Sequence, residues 1–438
     1  MAKGDENLKV IHRIKNSSSA YFHGDDKYDN TEKNSDHEYI PIDLTREILM
    51  RLPAKSILRF RCVSKLWLSI TTEQDFINSF TVRQSSIPSQ SLLLNFTSYD
   101  NERKHVFCML PFHEKSTSYS DVHNFHIIPP GKDYQSCSST SVNGLITFGN
   151  KTEIVIWNPT MKEHITLLKP KNPMENYKII GCRLGYDPME NIYKLLLMAY
   201  YPCAYKLKEE YQNPQILTLG SQESWRVIKN SPDHQASSDY YCIKGVVYYR
   251  ANISFEEDRD DHSVIPSFPK AILVMKLKEI IMSFDVRSEQ FKSIQIPGRA
   301  PRHESNLHEC LMSYQGKLAW VCSYSNIIKI WVWQDAEKQE WSENEFVIPM
   351  PIRDLVGRTW SLNGATSAGE FIYVAKSGKL FKDISVFIYD PVRETIRNVK
   401  GLDYEKFRRC YGSSNERMYF LTSYPDHIES LISPKTLV

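Results

Sequence analysis

A hairpin pattern recurs five times along this 438-residue chain. In each copy an alternating apolar segment ends in a short polar turn, and a bulky apolar residue follows six to eight positions after the last large side chain. A Gly followed by an apolar strand precedes most copies, so each unit contains about four strands. The anchoring pairs are Trp157 and Ile165, Leu219 and Trp225, Phe284 and Phe291, Trp333 and Trp341, and Tyr389 and Ile396.

Four-stranded units at this period predict a β-propeller. The first residues of the pairs are about 49 to 65 positions apart, close to the roughly 50-residue period of kelch repeats. Each blade buries its faces against its neighbours, and closing the ring removes free strand edges. A β-sandwich would also contain short strands, but it would not require this period.

Two partial units flank the five hairpins and determine the number of blades. Residues 91–96 with 105–110 supply one strand pair, and residues 418–424 with 428–432 supply another. If the two pairs join into one blade, the ring has six blades and is closed by the ends of the chain. Six blades are favoured, and seven are possible.

A helical segment, residues 38–71, precedes the strands. Asp43 is a suitable N-cap for the first helix, and Glu47 can pair with Arg51 one turn further on. Pro53 ends this helix and opens the second, and Ser64 caps a third. The apolar positions of the first helix form one stripe, which consists of Leu44, Ile48, Leu49 and Leu52.

The segment resembles an F-box, the helical motif by which substrate receptors dock onto the Skp adaptor of cullin-type ubiquitin ligases. Ile40 stands where Leu is usual, and because the two are close in size and polarity we still expect docking. The alternative is an ordinary helical subdomain of a larger enzyme. The resemblance rests on Pro41, Asp43-Leu44, Glu47-Ile48-Leu49, Arg51-Leu52-Pro53, Lys55-Ser56, Leu58, residues 59–65 and Trp67. The adaptor-binding residues that it implies are Pro41, Leu44, Ile48, Leu49, Leu52, Pro53, Leu58, Cys62, Val63 and Trp67.

The strand region resembles the F-box-associated domain of a large group of plant F-box proteins, in which this domain is a substrate-binding platform. Short motifs carry the resemblance, namely Asn143-Gly144-Leu145, Ile156-Trp157-Asn158-Pro159-Thr160, Gly185-Tyr186-Asp187-Pro188 and Tyr389-Asp390-Pro391. We therefore expect an α+β multidomain protein, with a three-helix F-box followed by an all-β, kelch-like propeller. The predicted domains are a polar, disordered tail at 1–37, the F-box at 38–83, a linker at 84–89 and the propeller at 90–438.

Composition excludes several classes of function. A net charge of +2 does not suggest a nucleic-acid surface. Nine cysteines without a CxxC pair predict reduced core residues, not a disulfide framework or a zinc site. No apolar run reaches the length of a membrane span, and the N-terminus lacks the apolar block of a signal peptide. We expect a soluble protein of the cytoplasm, the nucleus or both, with no metal, cofactor or membrane partner.

No catalytic motif of the common types is present, and no cysteine can be singled out as a ubiquitin-transferring nucleophile. We expect a non-catalytic subunit that binds the Skp adaptor, through it a cullin, and an unknown client protein, so that ubiquitin transfer gains from proximity. A non-proteolytic adaptor-binding protein or decoy is the alternative. A propeller enzyme would instead need polar or titratable groups converging on the mouth of the central channel.

Two side chains are predicted to contact the client. Arg358 and Trp360 lie in the turn-rich segment 353–364, and Arg and Trp supply many of the residues that dominate protein interfaces. The alternative for Trp360 is that it begins a strand and packs between blades, in which case its loss would cost stability.

Overall fold

The computed structural model forms two compact units. One is helical, ends at Ser86 and also includes Glu429–Ile432, and the other is Ile87–Ile428 with Ser433–Val438. The predicted tail, residues 1–37, lies outside the described residues. The structure describes residues 40–87, 91–99, 103–111, 126–127, 136–137, 140–150, 152–170, 178–201, 210–211, 213–221, 224–255, 276–298, 308–324, 326–335, 338–348, 360–375, 383–403 and 417–437.

The helical unit contains four α-helices where the sequence predicted three. They are α1 (Ile42–Met50), α2 (Ala54–Phe60), α3 (Lys65–Thr72) and α4 (Gln74–Ser86). Helix α4 extends through Ser86, so the first part of the predicted linker, residues 84–89, is helical. Its apolar residues Phe76 and Phe80 are one turn apart and fully buried, which explains why the helix forms against the other three.

Local signals account for most of the helix boundaries. Ser64 accepts a hydrogen bond from the Trp67 backbone N–H at 3.4 Å, and Pro53 is the N-cap of α2, both as predicted. The N-cap of α1 is Pro41, so the prediction of Asp43 as its cap is wrong. Asp43 lies instead in the first turn, where its charge complements the helix dipole.

The helical core includes a residue from the far end of the chain. Leu431 is 1% exposed and packs in the same cluster as Leu49, Ile57, Trp67 and Phe76. The Trp67 ring meets that of Phe60 edge to face, with centroids 5.1 Å apart. Residues 428–432, which were predicted to form a strand pair with residues 418–424, therefore do not form one. Residues Glu429–Ile432 instead complete the helical unit.

The second unit contains 25 strands in its described residues. The first twelve are β1 (Ser91–Tyr99), β2 (Arg103–Pro111), β3 (His126–Ile127), β4 (Ser136–Cys137), β5 (Ile146–Gly149), β6 (Glu153–Asn158), β7 (Glu163–Leu168), β8 (Lys178–Asp187), β9 (Ile192–Tyr201), β10 (Glu210–Tyr211), β11 (Gln215–Thr218) and β12 (Arg226–Val227). The others are β13 (Gln235–Ile243), β14 (Val246–Phe255), β15 (Lys276–Asp285), β16 (Phe291–Ile294), β17 (His308–Tyr314), β18 (Lys317–Tyr324), β19 (Ile327–Asp335), β20 (Glu340–Val347), β21 (Trp360–Ala365), β22 (Phe371–Ala375), β23 (Asp383–Asp390), β24 (Thr395–Asp403) and β25 (Arg417–Tyr424). A 3-10 helix, Pro434–Leu437, follows.

These strands form six antiparallel sheets, the blades of a propeller, which confirms the favoured blade count. Five blades are β4 to β7, β8 to β12, β13 to β16, β17 to β20 and β21 to β24. The sixth has the order β25-β1-β2-β3, because β25 pairs with β1 in a register that includes Leu93 with Tyr424. The two ends of the strand region therefore close the ring in one blade, as predicted.

The predicted hairpins are present in register. Phe284 lies opposite Phe291, Trp333 opposite Trp341, and Tyr389 opposite Ile396. Tight turns join the inner strands, and the turn at Lys244-Gly245 has positive φ at both residues, at 49° and 84°. Such turns match the twist of the strands that they connect. The blades pack through apolar faces, as where Ile281 of one blade shares a cluster with Leu311 and Trp320 of the next.

The motif Gly185-Tyr186-Asp187-Pro188 holds two blades together. A Cβ on Gly185 would lie 2.6 Å from Val286 Cγ2, so only glycine allows this approach of β8 to the turn after β15. Asp187 is buried and accepts hydrogen bonds from Arg287 at 2.9 and 3.1 Å. Burial raises the pKa of Asp187, but the bonds from Arg287 and from backbone N–H groups outweigh burial and lower the pKa.

No helix in the described part of the chain is long and apolar enough to span a bilayer.

Candidate functional site

The helical unit exposes apolar side chains that its own core does not cover. Leu44 of α1 is 56% exposed and Val63, after α2, is 43% exposed. Ile48 lies four residues after Leu44, on the same side of α1, and is half-buried. Pro41, Pro53 and Cys62 are also exposed. Exposed apolar side chains at several positions of a small helical unit are typical of a surface that another protein covers. We call Pro41, Leu44, Ile48, Pro53, Cys62 and Val63 the docking face.

Four other predicted adaptor-binding residues lie deeper in the unit. Leu49 is 2% exposed and Trp67 is 4% exposed, and both belong to the helical core. Leu52 and Leu58 are partly buried and pack against that core. Leu49 and Trp67 therefore shape the docking face from beneath, since a side chain with so little exposed area has almost no surface to offer a partner.

Polar contacts fix the helices around this core. Arg61 donates to the Thr71 carbonyl at 2.7 Å and to its hydroxyl at 3.1 Å, which ties the end of α2 to α3. Arg83 donates to the Met50 carbonyl at 3.0 Å and so joins α4 to the end of α1. These bonds hold the helices that carry the docking face in one arrangement.

The propeller contains a cavity of about 300 Å³ that is lined mainly by the inner strands of four blades and also by the second strands β1 and β14. We call it the axial cavity. Its lining combines titratable and amide groups with apolar side chains. The polar lining residues that matter here are Asp239 and Tyr241 of β13, Arg250 of β14, His308 and Glu309 of β17, and Asn363 of β21.

Arg250 is held by bonds to the protein itself. Its Nε donates to Glu279 Oε1 at 2.8 Å, Nη2 donates to the same oxygen, and Nη1 donates to the Glu309 carbonyl at 2.9 Å. Its guanidinium also lies over the Trp320 ring, 5.1 Å from the centroid. The Glu309 carboxylate accepts a hydrogen bond from Cys322 Sγ at 3.4 Å. The guanidinium of Arg250 is thus already paired with the carboxylate of Glu279.

Asn363 links two blades across the cavity. Its Oδ1 accepts hydrogen bonds from the backbone N–H and the hydroxyl of Ser423 on β25, each at 2.6 Å. Burial raises the pKa of Tyr241, and the neighbouring Cys310, Asp239 and Asp426 raise it further, so the phenol stays protonated and can donate a hydrogen bond. The cavity therefore has a fixed wall of donors and acceptors.

Two family descriptions match the chain. Residues 39–79 match the F-box domain, and residues 91–428 match the F-box associated beta propeller domain. This chain is an F-box protein with an F-box-associated propeller.

Its relatives match over nearly the whole chain. The At4g21240 protein of Arabidopsis thaliana is 37% identical over 420 residues, 93% of each chain. F-box protein At5g18160 of the same plant is 36% identical over 402 residues, which cover 90% of this chain and 91% of that one. F-box protein At1g30790 is 32% identical over 421 residues, with 91% and 99% covered. These relatives are F-box proteins that align with nearly the whole chain, so this protein belongs to the same family.

Solved structures add only a distant likeness. The WD40 domain of SCAP from fission yeast is 10% identical, covers 73% of this chain and 88% of that chain, and superposes with a TM-score of 0.30. A likeness at that level carries no argument about this F-box protein.

The structure argues against one of the two predicted client-binding residues, Trp360. Trp360 begins β21, is 2% exposed, and packs against Phe387 with ring centroids 4.5 Å apart. The prediction of Trp360 as a binding residue is therefore wrong, because its ring belongs to the core between two blades. Arg358 lies outside the described residues.

Sequence reasoning missed several candidate residues of this F-box protein. On the helical unit, Ile42, Leu66 and Leu68 are exposed apolar residues next to predicted ones, and their chain positions could have suggested them. The lining of the axial cavity gave no local signal, since it comes from strands far apart in sequence. No group of His, Cys, Asp and Glu side chains suited to a metal ion occurs among the described residues.

Proposed function

We propose that this F-box protein is the substrate-recognition subunit of a Skp–cullin–F-box ubiquitin ligase. Its helical unit binds the Skp adaptor and, through it, a cullin, and its propeller binds a client protein. Ubiquitin transfer gains from the raised local concentration of the client, and the partners supply the catalysis.

The docking face carries this proposal. Leu44 and Val63 keep about half of their surface in water, although the same unit buries Trp67, Phe76 and Phe80 almost fully. Covering one such side chain is worth roughly 1–3 kcal/mol, from about 25 cal/mol per Å² of apolar area. Several of them together supply the apolar centre of a stable protein interface.

The composition of the two units supports separate roles. The helical unit is small and exposes several large apolar side chains, whereas the propeller is large and offers a cavity with a partly polar lining. Cys62, Cys108, Cys182, Cys242, Cys310 and Cys322 are free cysteines, which suits the reducing cytoplasm or nucleus where we place the protein.

The test is binding of a purified Skp adaptor to the full-length protein, measured by calorimetry. Leu44→Gln and Val63→Gln remove apolar contact without adding charge, so each should weaken the complex by at least about tenfold, or about 1.4 kcal/mol. Val82→Gln is the matched control, because Val82 is exposed in the same unit but lies outside the docking face. Unchanged affinity in the first two variants contradicts the proposal.

A reconstituted ubiquitination assay separates the ligase from its alternative. Adaptor binding together with client modification supports the ligase subunit. Adaptor binding without modification of any client captured by the propeller supports the non-proteolytic role instead.

A further inference from the structure

A short segment at residues 433–437 joins two neighbouring blades of the propeller. It contains the 3-10 helix Pro434–Leu437, which packs against β6 and β7 of one blade and buries Pro434. The backbone N–H of Gly220, in the turn after β11 of the next blade, donates a hydrogen bond to the Leu437 carbonyl at 2.7 Å. We call residues 433–437 the strap, because they link β7 of one blade to this turn of the other.

One carboxylate, that of Glu163, holds the start of the strap. Glu163 is the first residue of β7, and its Oε2 accepts a hydrogen bond from the Ser433 hydroxyl at 2.5 Å. The ammonium group of Lys435 lies 3.6 Å from Glu163 Oε1. Ser433 is half-buried and Lys435 is exposed, so this anchor lies at the surface of the propeller. The contact requires a hydroxyl hydrogen on Ser433, because a carboxylate only accepts hydrogen bonds.

The sequence at Ser433 suits a protein kinase. Proline follows it at position 434, and the residue before a proline is biased toward an extended backbone, the form in which kinase active sites bind a substrate segment. Proline-directed kinases select this Ser-Pro pair. The chain contains a second one at Ser231-Pro232, where the Ser231 hydroxyl donates to the Pro232 carbonyl at 3.2 Å. Of the two serines, Ser433 is the one that is hydrogen bonded to a carboxylate.

Phosphorylation turns the contact between Ser433 and Glu163 from attraction into repulsion. Ser433 Oγ forms a bond to the γ-phosphorus of a nucleoside triphosphate, the bond from that phosphorus to the bridging oxygen breaks, and the nucleoside diphosphate leaves. The hydroxyl proton passes to the base of the kinase. The phosphate carries about −1.5 to −2 charges at pH 7 and brings no hydrogen for the carboxylate to accept. Lys435, with one positive charge, cannot neutralise both anions, so the two repel each other.

We propose that Ser433 is the phosphorylation site of a proline-directed serine kinase, and that its phosphorylation releases the strap from β7. The strap is one short 3-10 helix on the surface, so it can open locally to admit the kinase while the strands of both blades stay paired. This regulation is separate from the ligase role and does not depend on it.

The test treats the full-length protein with a panel of proline-directed kinases and ATP. Mass spectrometry locates the phosphate, and hydrogen exchange of peptides that contain Gly220 reports whether the strap is bound, since the Gly220 N–H donates to Leu437. We expect phosphate on Ser433 of the folded protein and exchange at Gly220 that is at least about tenfold faster. Absence of phosphate at Ser433 with every kinase of the panel overturns the site.

Two variants isolate the role of charge. Ser433→Ala leaves Ser231 as the remaining Ser-Pro site, so kinase treatment of this variant should leave exchange at Gly220 unchanged. Glu163→Gln keeps an oxygen acceptor for Ser433 but removes the negative charge, so phosphorylation should speed exchange at Gly220 much less in this variant.

Phosphoserine installed at position 433 during translation tests release without a kinase. Faster exchange at Gly220 in that protein supports the proposal. Unchanged exchange there overturns release of the strap, and equal acceleration with Glu163→Gln overturns repulsion by the carboxylate as its cause.

Discussion

The backbone N–H of Ala54 donates a hydrogen bond to Glu429 Oε2 at 2.8 Å, joining residues 375 positions apart. Ala54 is the first residue of α2, so its N–H has no partner within the helix, and the carboxylate satisfies it. Two residues further on, Leu431 enters the helical core. The F-box of this protein is thus completed by a segment that lies far beyond the residues 39–79 that match the family.

Replacing Leu431 by Ala should destabilise the helical unit. The side chain is 1% exposed, and truncating a buried Leu costs about 2–5 kcal/mol through lost contact and a residual cavity. Because the docking face depends on the packing beneath it, adaptor affinity should fall as well. Circular dichroism melting and adaptor calorimetry measure the two effects. Val82→Ala, at an exposed position of α4, should leave both unchanged, and an adaptor affinity unaffected by Leu431→Ala would show that the segment is dispensable.

Replacing Trp360 by Ala should destabilise the propeller and not impair client capture selectively. Its ring is buried between blades, so we expect a loss of about 3–5 kcal/mol in the free energy of unfolding. Val392→Ala is the control, because Val392 is exposed in a turn of the same blade. An unchanged melting temperature combined with loss of clients would restore Trp360 as a binding residue.

His427 should make the propeller less stable in acid. Burial lowers the pKa of His427 from 6.5 to about 4, and its Nδ1 lies 2.9 Å from Ser141 Oγ. The folded state thus resists protonation of His427 more than the unfolded state does. The contribution of neutral His427 to the free energy of unfolding is therefore present above pH 6.5 and is lost as the pH falls toward 4. Between pH 7 and pH 5 the loss is about 2 kcal/mol. His427→Asn should remove this part of the pH dependence in urea unfolding.

The adjacent Asp426 acts in the opposite direction. Burial raises its pKa from 3.8 to about 6, against the effect of its hydrogen bond with Ser313. The folded state takes up this proton first, so protonation below pH 6 favours folding and partly offsets His427. Asp426→Asn should therefore steepen the acid destabilisation. If His427→Asn and Asp426→Asn change the pH dependence of unfolding in the same direction, the opposite effects assigned to these two residues are wrong.

The repeat could be read from the sequence because each hairpin is local. Phe284 and Phe291, or Trp333 and Trp341, are near in the chain and lie opposite each other in register. The joining of the two chain ends into one blade followed from the need to cover strand edges. Ser64 and Pro53 also act on residues within one turn, so their capping roles were predictable.

Apart from the cap of α1 and the missed helix α4, the errors concern contacts between distant residues. Nothing local in the segment around Trp360 distinguishes a turn from the first residue of a buried strand. Leu431 and Glu429 have the pattern of a strand end, and only the packing of the helical unit explains their position. The axial cavity draws Asp239, Glu309 and Asn363 from three different blades, so no window of sequence contains it.

Hydrogen exchange of the full-length protein with and without the Skp adaptor tests the central claim most directly, that the helical unit docks the adaptor while the propeller is left for a client. We predict slower exchange of amides in residues 42–68, which carry the docking face, and unchanged exchange in β13 and β17, which line the axial cavity. Slower exchange in those cavity strands, with residues 42–68 unaffected, would contradict the account.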